Sequence, residues 1–409
     1  MDIRPVLSAL SRHKTAAALI VVEIALTCAI ICNAMFLISQ RIDKLSEPSG
    51  LVEDQVLEIS LAGIGEQADK DARTAEDLAA LRAIPGVTDA VVGNQVPFFD
   101  NSNNTGLGLV PNQANNTVNA AQYQGDTLVK TLGLRLVAGR DFLPDEILLG
   151  SAVNKMLAEH PEKVSSAVIV TQSLARKLFP DGPAVGKTIY TGNIPLTIVG
   201  VVETLARPNI WGADAGKGDS MILPVRLPYT DGFYFLRVAD PGRRQELLKT
   251  AVDTLTRLDP NRLVLRQRTY EEIRGEYFRN DRAMVGLMIV VCVSLMVVTA
   301  LGIVGLASFW VQQRTKQIGI RRALGATRGQ VLRYFQTENF LLASIGIVLG
   351  MLLAYSLNQM LMGRYELPRL PLVYLPIGAA LLWLLGQLSV LGPARRAAAV
   401  PPAVATRGA

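Results

Sequence analysis

Hydrophobic and polar positions divide the chain into two kinds of territory. Residues 15–40 are predominantly apolar with Glu23 as the one charge, 283–311 run 29 residues without a charge, 339–362 run 24, and 370–394 run 25. About 20 apolar residues cross the hydrocarbon core of a bilayer as a helix, so each stretch is long enough to span. Between the first and second, polar punctuation returns. The segment 53–61 (EDQVLEISL) reads as a strand, 74–83 (TAEDLAALRA) as an amphipathic helix, and 87–92 as a strand after the Pro85-Gly86 turn. The segments 232–239 (GFYFLRVA), 242–258 and 262–267 repeat that order. The insertion between these units is rich in Asn and Gln before position 125 and carries β-like runs at 167–171 and 196–202.

The pattern predicts a polytopic α-helical membrane protein with four transmembrane helices and a large α+β extracytoplasmic domain. Two porter-like β-α-β units, 41–95 and 226–282, would flank an inserted β-rich subdomain, 96–225. The first span, 15–40, is expected to be retained, because Ser39-Gln40-Arg41 is not the small-residue site of a cleaved signal peptide. The others are expected at 283–311, 336–362 and 371–393, with a cytoplasmic loop at 312–335, a short periplasmic loop at 363–370 and a tail at 394–409.

Charge orients these segments. Arg4, Arg12 and Lys14 precede the first span, six Lys/Arg and no acid lie between Arg314 and Arg333, and Arg395, Arg396 and Arg407 follow the last span. Positive residues are retained on the cytoplasmic side. Both termini and the 312–335 loop are therefore expected inside. Residues 41–282, with 27 basic and 31 acidic residues, are expected outside. The overall charge of +6 belongs to topology and to the anionic inner leaflet rather than to nucleic acid. Before the first span, Ile3, Val6, Leu7 and Leu10 form an apolar stripe opposite Arg4, Ser8, Ser11 and Arg12, the pattern of an interfacial helix over 1–14.

Candidate chemistry is sparse. Cys28, Cys32 and Cys292 all fall inside spans, and with only His13 and His160 in the chain no metal set or His-based catalytic constellation can be composed. The stretch from Gly182 to Thr188 (GPAVGKT) has three residues between its glycines where a phosphate-binding loop needs four, and a helix-like segment where the strand should be. It reads as a turn feeding a strand. Asn103 and Asn115 head glycosylation sequons that matter only in a secretory pathway. Glu23, about eight residues or roughly 12 Å into the first span, is costly in hydrocarbon and is expected to face a dimer partner or the cytoplasmic vestibule in preference to a purely local hydrogen bond to Ser or Thr. Gly346-x-x-x-Gly350, and Gly302 with Gly305, permit close helix approach.

The 312–335 loop, with R-T-K-Q-I-G-I-R-R-A-L-G-A-T from Arg314 to Thr327 followed by Glu338, is similar to the signature of the MacB/FtsX-type ABC transporter permeases. The tail from Pro393, and GDTLVKTLGLRLVAGRDF, AVIVTQSLARKLF, VGKTI and IVGVVE in the middle of the chain, resemble the C-terminal ending and the periplasmic core domain of MacB-like members. Gln317 stands where the family usually has Glu.

That resemblance implies a non-catalytic permease subunit of the bacterial inner membrane, with no cofactor of its own. ATP and magnesium would be bound by a separate ABC ATPase subunit. Gln317, Ile318, Gly319, Arg321, Arg322, Ala323, Leu324 and Gly325 would dock that ATPase. A second permease, identical or paralogous, would pair with the chain, and a periplasmic adaptor and outer-membrane duct could complete an exporter of peptides or antibiotics driven by mechanotransmission. Lipoprotein release, or an FtsX-like relay activating cell-wall hydrolases, stands as the alternative.

Overall fold

The computed structural model describes residues 14–64, 69–99, 102–115, 117–153, 166–209, 218–365 and 369–399. It comprises two compact units: Met1–Leu45 with Asn280–Ala409, and Ser46–Arg279. The interfacial helix expected over 1–14 lies, except for Lys14, outside the described residues, as does the tail beyond residue 399.

The first unit is helical. Span 1 (Lys14–Leu45), span 2 (Arg279–Gln313), span 3 (Arg328–Tyr365) and span 4 (Tyr374–Ala399) are each long and apolar enough to cross a membrane. A short loop helix (Thr315–Ala323) joins spans 2 and 3. Gly325, at φ +99°, makes the turn out of it. Span 3 then starts on a reciprocal cap, with the Gln330 amide N–H donating to Thr327 Oγ1 and the Thr327 N–H to Gln330 Oε1.

Span 1 lies in the core of the bundle. Its Ile24, Cys28, Ile31 and Cys32 pack with Ala343, Ile347 and Ala354 of span 3 and Ala379 and Leu382 of span 4. The glycines explain how closely the helices approach. A Cβ on Gly346 would stand 2.8 Å from Ile24 Cβ, and one on Gly350 2.5 Å from Cys28 Cβ. Nothing larger than glycine fits there without moving span 1. At the other end of the unit, Asp281 accepts from Arg41 and from Lys44, the latter at 3.1 Å, and ties the end of span 1 to the start of span 2.

The second unit runs β1 (Val56–Gly63), α1 (Lys70–Arg82), β2 (Val87–Gly93), β3 (Asn104–Leu107), β4 (Val118–Gln124), α2 (Leu128–Leu132), β5 (Leu136–Gly139), β6 (Leu148–Leu149), β7 (Ser166–Thr171), α3 (Gln172–Leu178), β8 (Thr188–Thr191), β9 (Ile194–Val202), β10 (Ser220–Leu223), β11 (Val225–Arg226), β12 (Phe233–Val238), α4 (Arg244–Leu258), β13 (Arg262–Thr269) and α5 (Tyr270–Tyr277). One antiparallel sheet has the order β13-β1-β12-β2, so the two β-α-β halves interleave their strands instead of lying side by side. Alternation along the strands turns Leu57, Ile59, Tyr234, Leu236, Ala90 and Val92 toward α1 and α4, where Leu78, Leu81, Leu247, Leu248 and Leu255 close the core. The inserted segment forms a second sheet, β3-β4-β10-β7-β9-β5 with β8 beside β9, around its own core of Val168, Val170, Leu174, Ile198 and Met221.

Buried charge stitches the first sheet together. Arg262 of β13 donates twice to Asp77 of α1, at 2.5 and 2.9 Å, and Tyr234 of β12 donates to the same carboxylate. Burial, then the Asp77 charge, pushes the Tyr234 phenol far above its usual range. On the other face, Glu58 of β1 is fully buried and paired with Arg268 at 2.7 Å. Helix α5 begins with a capping box, Thr269 with Glu272, and is held by Arg274, which bonds Glu53 and the Glu47 carbonyl and lies over the Phe98 ring. The GPAVGKT segment is a turn: Gly186 sits at φ +84°, its N–H donates to the Ile198 carbonyl, and the chain enters β8.

Candidate coupling site

The loop helix is nine residues long, and its sequence gives it two unlike faces. Ile318 and Gly319 turn into the bundle, where Ile318 joins the core with Val331, Phe335, Ala394 and Ala397. These two had been expected on the docking surface; their burial makes them the keel of the helix instead. The outward face consists of Lys316, Gln317, Ile320, Arg321, Ala323, Leu324 and Gly325, with Arg322 half-buried. Leu324 is 83% exposed at the helix end, and Ile320, not anticipated as a docking residue, is 45% exposed beside the basic side chains.

The keel is fastened electrostatically. Arg314, at the junction of span 2 and the loop helix, donates to both oxygens of Glu338 in span 3, at 2.9 and 3.1 Å. Glu338 is 1% exposed and the Arg314 side chain 14%. The guanidinium also lies 5.6 Å over the Trp310 ring. One nitrogen, Nη1, serves both oxygens, and this charge-assisted contact ties the junction of span 2 and the loop helix to span 3. Arg321 lies 5.7 Å over the Tyr334 ring, a second tie between loop helix and span 3.

The sequence pattern marks Arg314 as a basic loop residue at the start of the signature and Glu338 as an acid within a span, without pairing the two. The available signal was that Glu338 is the only acid between residues 283 and 365, placed one span away from a basic loop.

The other predicted positions separate. Glu23 faces span 2 of its own chain: a Cβ on Gly302 would lie 2.6 and 3.0 Å from the two Glu23 carboxylate oxygens. One turn further, Thr27 and Thr299 share a 2.9 Å hydrogen bond, so spans 1 and 2 meet along a short polar seam. Gly302 is thus a seat for a carboxylate, while Gly305, expected to pack helices, faces open space with nothing within 4 Å of its Cβ direction. The outer stripe of span 1, comprising Leu19, Val22, Leu26 and Ile30, is exposed and apolar. Among the described residues no cluster of His, Cys, Asp and Glu could hold a metal.

Residues 18–255 match the model of the MacB-like periplasmic core domain, and residues 289–402 match that of the FtsX-like permease C-terminal region. The chain belongs to the MacB/FtsX-type ABC transporter permeases. The family's permease region contains the whole loop helix and spans 3 and 4 up to their described ends. The chain is 28% identical over 292 residues to the macrolide export ATP-binding/permease protein MacB of Chromobacterium violaceum, covering 68% of this chain and 42% of that protein. It is 28% identical over 340 residues to the MacB of Rhodopseudomonas palustris, covering 78% and 48%. The chain therefore spans under half the length of these curated relatives. The periplasmic region of MacB from Actinobacillus actinomycetemcomitans aligns at 15% identity and a TM-score of 0.34, covering 57% of this chain and 97% of that one.

Proposed function

We propose that this chain is the membrane-embedded part of an ABC exporter that turns ATP-driven movement at the loop helix into movement of its 46–279 unit, expelling a peptide, antibiotic or similar substrate already outside the inner membrane. The observation that carries this reading is the division of the loop helix. Its inward keel is locked by Ile318 and by Arg314–Glu338, while its outward face offers Leu324, Ile320 and Arg321. A helix fixed to a rigid bundle on one side and uncovered on the other transmits a push. Membership in the permease family supports an ABC ATPase as the protein that pushes, and the basic residues of the loop suit the carboxylates of such a partner.

In this reading both termini and the loop helix are cytoplasmic, as the basic residues flanking the spans require. A second permease packs on the exposed stripe of span 1. The macrolide export named for the relatives supports an amphipathic cargo.

Leu324→Asp tests the reading. A charge on the uncovered face should leave expression and insertion intact, since the loop keeps its six basic residues, yet abolish stimulation of the ATPase and the export phenotype. A Leu324→Asp complex that assembles and turns over at the normal rate removes the loop helix from the mechanism.

A further inference from the structure

The cytoplasm-directed half of the bundle contains a small, mostly apolar cavity with a few polar groups on its wall, which the coupling scheme does not use. Its volume is about 20 Å³, and its lining comes from all four spans: Ile20, Ile303 and Trp310, Glu338 and Asn339, and Val390. One water needs roughly 10–15 Å³ measured in this way. Two hydrogen-bond donors on its wall are spent on nothing else in the protein: the indole Nε1–H of Trp310, which is 4% exposed, and the side-chain amide Nδ2 of Asn339, which is 6% exposed. The third polar wall is the Glu338 carboxylate. It already accepts from Arg314, and an ionised carboxylate has about four acceptor positions.

We propose that this cavity is a binding site for one ordered water molecule, which accepts from Trp310 Nε1–H and Asn339 Nδ2–H and donates to Glu338. The donor and acceptor count is what selects the occupant. Two unpartnered N–H donors on residues lining one cavity call for an acceptor, the carboxylate of Glu338 on the same lining calls for a donor, and a single water molecule with both capacities fits the space. An apolar occupant would leave both donors buried and unmet, and an anion would face the Glu338 charge. Span 4 leaves room beside the amide: a Cβ on Gly386 would fall 3.0 Å from Asn339 Nδ2, so the glycine keeps that side clear. The water joins span 2 to span 3 beside the Arg314 anchor, and the carboxylate that orients the loop helix is itself oriented by a hydrated joint. This assignment is independent of which protein docks on the loop helix.

The test uses the full chain in lipid bilayers, with Trp310 kept as its sole tryptophan by Trp211→Phe and Trp383→Phe and labelled with 15N in the indole ring. Water-edited solid-state NMR then reads magnetisation passed from water to the Trp310 indole N–H. The expected result is rapid build-up on this signal, reduced several-fold by Asn339→Leu, which fills the cavity and removes one of the water's partners. No transfer in the Trp310-only chain overturns the proposal without recourse to any cavity variant. Transfer that is equal in the Asn339→Leu chain also overturns it, because the indole would then be seeing bulk water.

Discussion

Breaking the Arg314–Glu338 pair should expose how much the loop helix depends on its anchor, and the two partners should not respond equally. Glu338 is 1% exposed, whereas the Arg314 side chain is 14% exposed and long enough to carry its charge toward water. Arg314→Met strands a carboxylate in the bundle, and loss of one partner of a buried pair costs about 3–5 kcal/mol. Glu338→Leu strands only a guanidinium that can turn outward, so about 1–2 kcal/mol is expected. Replacing both by apolar side chains removes the stranded charge, and such replacements are often neutral or better. The double variant should therefore recover about 2 kcal/mol or more relative to the sum of the singles. Titration of the micelle-solubilised chain with a denaturing detergent, followed by helical circular dichroism, measures each variant. Coupling below about 0.5 kcal/mol, the level at which independent sites add, refutes the anchor. Five basic residues remain in the loop of Arg314→Met, so a change of topology does not confound the result.

Gly302→Ala should force its new methyl onto the Glu23 carboxylate, 2.6 Å away, and lower the unfolding midpoint, whereas Gly305→Ala, with open space around it, should not; equal effects of the two variants in the same detergent titration contradict the Glu23 seat. In the 46–279 unit, burial raises the Glu58 carboxyl above its ordinary 4.5, with Arg268 pulling it partly back. A raised acid contributes stability below its unfolded value and loses it as pH rises through the folded one, so the wild type should weaken relative to Glu58→Gln as pH rises above the ordinary carboxyl value of 4.5, and a pH-independent difference in chemical unfolding would dispose of this assignment. Cysteines placed at Asn115 and Gly329 in a Cys-free background should label differently with an impermeant thiol reagent in cells with a permeabilised outer envelope, the first reacting and the second protected; equal labelling breaks the topology.

The four spans and the family were legible because both depend on composition and on local order. Uncharged runs of 24–29 residues and an unbroken loop motif do not need a tertiary context to be read. The strand, helix, strand order of the 46–279 unit was readable for the same reason. The sheet order was not, since the interleaving of β1, β12, β2 and β13 depends on pairing across the whole insertion. The two faces of the loop helix were read only in part. Nine residues make two and a half turns, and in so short a segment Ile318 and Ile320 look alike by pattern; packing against Val331 and Phe335 decides that the first goes in and the second stays out. Glu23 illustrates a related limit. Its depth in the bilayer follows from counting, but the surface it faces depends on the register of span 1 against span 2, set by Gly302 and by the Thr27–Thr299 bond.

In the proposed mechanism the loop helix presents Leu324 to an ABC ATPase while Ile318 is hidden. A photo-crosslinking amino acid introduced singly at Leu324, Ile320 and Ile318, followed by irradiation in cells and mass spectrometry of the adducts, tests it at residue resolution. The account predicts an adduct with a protein carrying a G-x-x-x-x-G-K-[ST] nucleotide loop from Leu324 and Ile320, and from Ile318 only crosslinks within the chain itself. No ATPase adduct from Leu324, or one of equal yield from Ile318, contradicts it.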